Sequence, residues 1–429
     1  MKYKLNNSLT AGVIMAAFTA VFLYAGASNA FYKIGDDEKY LKIGGLLQGH
    51  ILTQEDASPD QDSWSGEFYM RRMRLILFGQ INSMVNFFVE TDNPNFGKNG
   101  DWSVNMFIQD AWLELNLHEM IQLDFGMILL PFSHHGMQGA TSLLAVDYHS
   151  SIIKYPKGSH KVWRDYGLML KGLITKWVEY RFSLSNGVRG DMGTVEREDE
   201  TGHKWLEYND PRNPDDAPRI TGRLTFNVFE PEGGPGTGGF FYDGIYLKET
   251  DEGIVSTKKV LSIGGSIDWI KDANVTWDVL PTAELVQREV KDRDDYIAAA
   301  GDVFWDIPFG DSNIMSFNGQ VNFYYYYYGD RSESDTYLDS LGDAKQYTGT
   351  GLLSEIGFRY DAYQPLIIVD WYNATDTPDD DTGDLLGVFG GFNYWMFAHA
   401  TNFKIQFGAT KKDGNDFGLA GLLQAQLLF

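Results

Sequence analysis

Hydrophobic and polar residues alternate along most of this chain, and the 3.6-residue spacing of an amphipathic helix is almost absent. Between residues 110 and 117, for example, Leu113 and Leu115 fall on one side, whereas Glu114 falls on the other. The segment 401–410 shows the same pattern. Because side chains along a strand point alternately to opposite faces, the pattern predicts β-strands with one apolar and one polar face.

The connections between these strands alternate in length, which favours a membrane barrel over a soluble sandwich. Long connections include 54–66, 131–161 and 187–217, and short ones include His118-Glu119 and Lys271-Asp272. Long loops at one end, tight turns at the other and an even strand count are typical of bacterial transmembrane barrels. The predicted fold class is therefore all-β, a single transmembrane antiparallel β-barrel of about 18 strands, with 16 as the alternative. The predicted strands are 40–53, 67–78, 80–91, 104–117, 120–130, 162–171, 176–186, 218–229, 239–248, 259–270, 273–289, 296–307, 313–328, 347–360, 365–373, 385–397, 401–410 and 417–429.

The first thirty residues have the pattern of a cleaved export signal. Lys2 and Lys4 supply its positive start, residues 13–26 its apolar core, and Ser28-Asn29-Ala30 the small residues before a cleavage site. The apolar core is too short for a comfortable membrane span. We therefore assign residues 1–30 to a signal peptide and residues 31–429 to the barrel.

The end of the chain carries a second targeting pattern. Leu423, Leu427 and Phe429 share the apolar face of the last predicted strand. This arrangement matches the terminal signal by which barrels are recognised for outer-membrane insertion. The expected location is the outer membrane of a Gram-negative cell, and the expected partners are the barrel-assembly machinery and outer-membrane lipid.

Composition agrees with an exported barrel. Aromatic residues make up 15% of the chain, glycine occurs 46 times, and cysteine is missing, so no disulfide framework is possible. After the export signal, no apolar run reaches the roughly 18 residues of a transmembrane helix. Much of the net charge of −24 lies in predicted loops such as 196–200 and 379–381, which we interpret as solvated surface. A secreted soluble all-β protein is the alternative, and it leaves the terminal strand and the loop alternation unexplained.

Several short motifs occur in the order of a known family. Glu67–Gly79 contains RRMRL, Asp110–Leu115 reads DAWLEL, and Phe125–Ser133 runs from FGM to LPFS. Together with three later motifs, at 164–167, 185–187 and 222–224, they resemble the phosphate-selective porin O and P family. The resemblance covers roughly residues 40–230. It implies a β-barrel porin whose third outer loop, here 131–161, folds inward and constricts the pore.

The resemblance does not carry over a phosphate substrate, because a phosphate path needs rings of lysine and arginine facing the lumen. Alternation instead assigns a mixed, slightly acidic set of charges to the inner face. Such charges support either a transverse field across a general porin or ion pairs that stiffen the wall. The predicted pore-lining residues are a selection from this larger set: Arg72, Arg74, Glu90, Asp110, Glu114, Asp124, Glu179, Arg181, Arg219, Arg223 and Lys404.

Two further expectations follow from alternation. Arg71 should point away from the lumen, so its long side chain is expected to reach the headgroups at the lipid interface. The tyrosine block at 324–328 should lie in an aromatic girdle, where a strand leaves the bilayer.

The chain shows little sign of catalytic chemistry. Among its eight histidines, His134 and His135 share a predicted loop with Asp147 and His149. Adjacent histidines on an extended chain point apart and the spacing matches no standard site, so no metal site is expected. No arrangement of serine, histidine and aspartate suggests a nucleophile, and no CxxCH motif attaches haem. We expect no catalytic residues and no cofactor.

Two functions remain open from the sequence. The first is an outer-membrane porin for small hydrophilic solutes or ions. The alternative is the barrel sheath of an outer-membrane porin–multihaem cytochrome complex, which carries electrons to extracellular acceptors; the size and acidity of this chain resemble the porin component of such conduits. Multihaem c-type cytochromes are then candidate partners. Because porins are usually trimers, a homotrimer is the candidate assembly.

Overall fold

A computed structural model describes residues 31–198, 204–232, 246–281, 286–329, 347–375, 377 and 383–429. The predicted export signal lies outside the described residues, as does most of the predicted strand 239–248. Within the described ranges, no helix is long and apolar enough to cross a membrane. The strands are β1 (Tyr32–Gly35), β2 (Tyr40–Gln54), β3 (Ser65–Asn82), β4 (Val85–Asp92), β5 (Phe107–His118), β6 (Ile121–Leu129), β7 (Arg164–Thr175), β8 (Val178–Ser185), β9 (Asp191–Glu198), β10 (Lys204–Asp210), β11 (Arg219–Asn227), β12 (Leu247–Thr250), β13 (Gly253–Ser256), β14 (Val260–Pro281), β15 (Val286–Phe309), β16 (Met315–Tyr327), β17 (Gly349–Tyr360), β18 (Tyr363–Ala374), β19 (Leu385–His399), β20 (Thr401–Lys412) and β21 (Gly418–Leu428).

Sixteen of these strands, β2–β8, β11 and β14–β21, form one closed antiparallel barrel. The barrel closes where β21 pairs with β2, with Gln426 opposite Gln48. The short strand β1 pairs with the first residues of β2, beyond the end of β21, and extends the seam. The predicted fold class is confirmed. The barrel has 16 strands, which was the alternative to the predicted 18.

The two surplus predicted strands have separate explanations. The segments 259–270 and 273–289 were predicted as two strands joined by a turn at Lys271-Asp272, but β14 runs through this point. Asp272 has a left-handed backbone (φ 47°), and the pairing with β15 shifts register between Ile270 and Asn274. A bulge of this kind contains turn-forming residues without ending the strand. The described end of predicted strand 239–248 belongs to β12, which pairs with β13 outside the barrel sheet.

The barrel wall is apolar outside and polar inside. On β5, Leu113 and Leu115 are exposed, whereas Asp110 and Glu114 are buried. The other strands follow this arrangement, because alternate residues face opposite sides of the sheet. In the tyrosine block, the same alternation buries Tyr324 and Tyr326 inside the barrel and leaves Tyr325 exposed outside. Tyr328 is buried as well, so the girdle expectation is wrong for three of the five tyrosines.

The barrel has a long-loop end and a short-turn end. Two-residue turns join β3 to β4, β5 to β6 and β7 to β8 at the short-turn end. The exception at this end is the connection 228–259, which joins β11 to β14 and contains the β12–β13 hairpin. At the opposite end, β14 and β15 continue past the last residue of β15 that pairs with β16, Ile297, and project from the barrel as a two-stranded ribbon.

Candidate functional site: a charged interior closed by two inserted segments

The predicted pore-lining side chains all lie inside the barrel and are buried. Most of them pair with other wall residues: Arg74 lies 2.7 Å from Glu90, and Lys171 lies 2.8 Å from both Glu114 and Asp124. Four more pairs are Arg164–Asp110, Arg181–Glu179, Arg219–Asp268 and Arg223–Asp302. These pairs are the contacts that the wall-stiffening interpretation requires, and that interpretation also stays a prediction. Their role in lining a pore stays a prediction.

Arg71 lies inside the barrel, so the expectation of a lipid-facing arginine is wrong. The pairing of β2 with β3 shifts register between Gln48 and Gly49, and Arg71 is the extra residue of this bulge. Both Arg71 and Arg72 therefore reach the carboxylate of Asp147, with Arg72 Nη2 lying 2.6 Å from Asp147 Oδ1. A bulge changes the face of a side chain without leaving a mark in the hydrophobic pattern.

The connection from β6 to β7, residues 130–163, lies inside the barrel and is called the interior loop below. It reaches the opposite wall, where the backbone N–H of Ser133 donates to Ser266 and that of Ala145 donates to Glu355. The ammonium of Lys404 donates to the carbonyl oxygens of Leu143 and Ala145. Lys404 is therefore buried, and its ammonium group is hydrogen-bonded to the backbone of the interior loop.

His149 of the interior loop joins two wall carboxylates. Its Nδ1 lies 2.8 Å from Asp370 and its Nε2 lies 2.9 Å from Glu355. Burial alone would lower the pKa of His149, but the charge of Asp370 and both hydrogen bonds outweigh it and raise the pKa to about 10. The protonated ring therefore donates to both carboxylates and holds the loop to β17 and β18.

His135 and His149 of the interior loop contact each other. Their rings lie 5.0 Å apart, and His135 Nε2 accepts the backbone N–H of His149. Burial, and then the charge of His149, lower the pKa of His135 to about 4. Within the part of the chain that the structure describes, no group of three or more histidine or acidic side chains is arranged to hold a metal ion.

Inward tyrosines hold the interior loop near the long-loop end. The hydroxyl of Tyr324 donates to Ser133, and that of Tyr326 donates to the carbonyl oxygen of Ile152. Tyr326 also accepts the backbone N–H of Lys154 at 3.2 Å. These contacts explain why Tyr324 and Tyr326 face inward, because each hydroxyl forms hydrogen bonds with polar groups of the buried interior loop.

A second segment enters the barrel from the short-turn end. Its described residues, 228–232 and 246–259, are called the inserted segment. Glu232 is buried inside the barrel, and its carboxylate lies 2.8 Å from His134 of the interior loop. Tyr246 is also fully buried, in a cluster with Leu144. The segments from the two ends therefore meet inside the barrel.

The sequence reasoning did not single out Glu232 as an interior anchor, and it gave no sign that Arg359 holds this segment. Arg359 is fully buried and donates to the carbonyl oxygen of Ile254 and to Ser256 Oγ. The one sign in the sequence that a segment enters the barrel here was the length of the connection after β11, because connections at the short-turn end of a barrel are usually short.

Comparisons with known proteins identify the class of fold. No protein-family model matches this chain, and no curated protein matches it. OmpF of Salmonella typhi, solved in complex with daunomycin, is 11% identical with a TM-score of 0.54, over 92% of this chain and 100% of that chain. An anion-selective porin from Comamonas acidovorans is 9% identical with a TM-score of 0.52, over 91% of this chain and 100% of that chain. OprB of Pseudomonas putida is 9% identical with a TM-score of 0.52, over 91% of this chain and 94% of that chain.

The fold is therefore that of a porin-type β-barrel. At this level of identity the likeness extends to the fold and not to the substrate. The narrower resemblance to the phosphate-selective porin O and P family rests on the sequence motifs alone.

Proposed function

We propose that this protein is an outer-membrane porin that provides a pathway for small hydrophilic solutes or ions. The observation that carries the proposal is the reversed polarity of a closed barrel, with Leu113 and Leu115 exposed outside and Asp110 and Glu114 buried inside. Such a wall is stable in a bilayer, because its apolar face meets lipid and its closure satisfies every strand edge. The porin folds of the structural neighbours support the same proposal.

The proposed orientation places both the short-turn end and the chain termini in the periplasm. The export signal at 1–30 delivers the chain across the inner membrane, and the last strand supplies the insertion signal. On β21, Leu423 and Leu427 alternate with the buried Gln424 and Gln426, and Phe429, which follows the strand, is 54% exposed. Long acidic loops then face the outside of the cell.

Phosphate is a poor candidate for the transported solute. Most of the predicted pore-lining bases are already paired with carboxylates, and Arg74 and Lys171 each contact two of them. A selectivity path for an anion needs like positive charges in sequence along the lumen. We propose small cations or neutral hydrophilic solutes as the better fit for this interior.

The cytochrome sheath is the less favoured function, because the interior loop and the inserted segment occupy the space in which a cytochrome would lie. An enzymatic role also finds little support, since His134 and His149 are each held in contacts that fix a loop. We propose a channel rather than an enzyme or a sheath.

Purification from native membranes in mild detergent, followed by planar-bilayer recording, tests the proposal. A porin is expected to be free of haem absorbance and to give discrete conductance steps. Stoichiometric haem with a co-purifying cytochrome would instead establish the sheath. A folded, haem-free barrel that gives no conductance would contradict the proposed function.

A further inference from the structure

The closing seam of the barrel joins two strands from opposite ends of the sequence. Gln48 of β2 and Gln426 of β21 lie side by side across it. In the described barrel, every other pair of neighbouring strands is also consecutive in chain order, apart from the hairpins that lie outside the barrel sheet. A connecting turn helps to set the register of such a pair. No turn joins β21 to β2, so another feature has to set the register of the seam.

The inward side chains of the seam do not separate the native register from one shifted by two residues. On both strands they run apolar, polar, polar and apolar: Leu46, Gln48, His50 and Leu52 on β2, and Leu428, Gln426, Gln424 and Leu422 opposite them on β21. A shift of two residues keeps every side chain on its own face. In one direction, residues 420–428 would still pair, now with residues 44–52 instead of 46–54. In the other direction, β21 would pass Gln54, the last residue of β2, and lose pairs.

Strand β1 occupies the part of β2 that the favourable shift needs. It pairs with the first four residues of β2, where Tyr32 lies opposite Ile43. Phe429 lies opposite Gly45, and the two backbones exchange hydrogen bonds of 2.7 and 3.0 Å. Strands β1 and β21 therefore lie end to end along the same edge of β2, with Gly44 between them. After the shift, Phe429 would lie opposite Ile43, a position that β1 already fills.

Two adjacent glycines of β2 make room for the side chains at this junction. The ring of Phe31 lies against Gly44, where a Cβ atom would come within 2.4 Å of it. The ring of Phe429 lies against Gly45, where a Cβ atom would come within 2.9 Å. Successive residues of a strand face opposite sides, so the two rings lie on opposite faces of β2. The glycines thus match the native positions of both strand ends.

We propose that β1 is a register stop for barrel closure, which covers the start of β2 so that β21 pairs only from Gly45 onward. The stop also determines which seam residues reach the interior loop. In the native register, Gln48 Nε2 donates to the carbonyl oxygen of Ala140 at 3.1 Å, and Gln426 Nε2 donates to that of Thr141 at 3.0 Å. A shifted seam would move these two amides apart and break their joint contact with the loop.

Engineered cysteines report the register of the seam, because the native chain has none. Leu52 lies opposite Leu422, and both side chains are half-buried. Leu52→Cys with Leu422→Cys is therefore expected to form a disulfide in the native register. Leu52→Cys with Ala420→Cys places the thiols diagonally, too far apart for a disulfide, and brings them directly opposite each other only in the shifted register. Mass spectrometry of tryptic peptides measures the fraction of each disulfide.

Disruption of β1 tests the stop. Tyr32→Pro with Ile34→Pro weakens the pairing of β1 with β2, because proline has no N–H to donate within a sheet. In the folded barrel, the fraction of the disulfide between positions 52 and 420 is expected to rise about tenfold, as for the loss of a few hydrogen bonds. Tyr32→Thr with Ile34→Thr is the matched control, since threonine keeps both donors and favours strands. The control is expected to keep the native register.

A second variant weakens the same hairpin at its turn and keeps every backbone donor. Gly35 has a φ of 107°, and a Cβ atom there would lie 2.2 Å from the carbonyl oxygen of Lys39. Gly35→Ala is therefore strained in the native hairpin. It is expected to raise the disulfide between positions 52 and 420 in the same direction as the proline variant.

The register of the folded fraction decides the proposal. Migration on gels without heating separates that fraction in each preparation. A shifted disulfide that rises in the proline variant or in Gly35→Ala, and stays low in the threonine control, supports the stop. A folded fraction that keeps the native disulfide alone in both disrupted variants overturns it and assigns the register to the interior loop. Neither result depends on conductance, so the test is independent of the proposed channel function.

Discussion

Asp147 is the residue whose charge most directly secures the interior loop. It faces Arg71 and Arg72, and their charges outweigh its burial and hold its pKa far below the ordinary 3.8. Asp147→Asn is expected to destabilise the barrel by about 3 kcal/mol, because it leaves Arg72 buried without its carboxylate. Urea unfolding followed by tryptophan fluorescence measures the effect. Asp37→Asn, which breaks the exposed pair with Lys33, is the control and is expected to leave the stability almost unchanged.

The loop histidines predict a dependence of stability on pH in both directions. The pKa of His149 is raised to about 10, so its contribution is complete below the ordinary value of 6.5 and is lost as pH rises through 10. The pKa of His135 is lowered to about 4, so its contribution is present above 6.5 and is lost as pH falls through 4. Thermal unfolding should show this alkaline loss in the native protein. His149→Gln should abolish the loss of stability at alkaline pH and retain the loss at acid pH. An unchanged loss of stability between neutral pH and pH 10 in this variant would show that His149 is not its source.

At the residue scale, the sequence predicted the faces of side chains wherever alternation is regular. Glu114 and Asp124 lie inside as predicted, but their pairing through Lys171 could not be read from one strand at a time. Arg71 was misassigned because a bulge interrupts the alternation beside it. Partners across strands depend on register, which a single sequence does not determine.

At the scale of elements, the inward tyrosines of β16 predict how the interior loop is held. Tyr326→Phe removes the hydroxyl that accepts from Lys154 and donates to Ile152, so two buried backbone groups lose their partner. Leaving them unsatisfied is expected to cost about 1–3 kcal/mol and to expose the loop to trypsin at Lys154. Tyr325→Phe is the control, since Tyr325 lies on the same strand and faces outward. Equal cleavage rates in the two variants would contradict this role.

Elements were predicted well where turns are short and poorly where the chain departs from a simple meander. The bulge at Asp272 has the residues of a turn, and only pairing with β15 shows that the strand continues. The connection 228–259 was long for its end of the barrel, and this length was the one sequence sign of an inserted segment. Its insertion depends on Arg359 and Trp395, which are more than a hundred residues away in sequence.

At the scale of the whole molecule, the interior is a charged core rather than an apolar one. The strands place the charges, and most of the described interior charges are buried against one another, the interior loop or the inserted segment. The sequence revealed the class of fold because alternation and loop lengths are properties of every strand. The family resemblance implied that the connection 131–161 turns inward, but the entry of the second connection, 228–259, could not be predicted, because it depends on contacts with distant parts of the wall.

The balance of interior charge predicts weak selectivity for cations. Arg74 and Lys171 each contact two carboxylates, so removing one from each keeps every base paired and reduces the negative charge of the path. Asp92→Asn combined with Glu114→Gln is therefore expected to fold and to move the reversal potential in a salt gradient toward chloride, because carboxylates facing a pathway attract cations and repel anions. Asp36→Asn with Asp37→Asn, two exposed positions, changes the total charge equally and is expected to leave the reversal potential almost unchanged. An equal shift in both variants would assign selectivity to the overall surface charge, and no shift in either would show that ions do not pass these carboxylates.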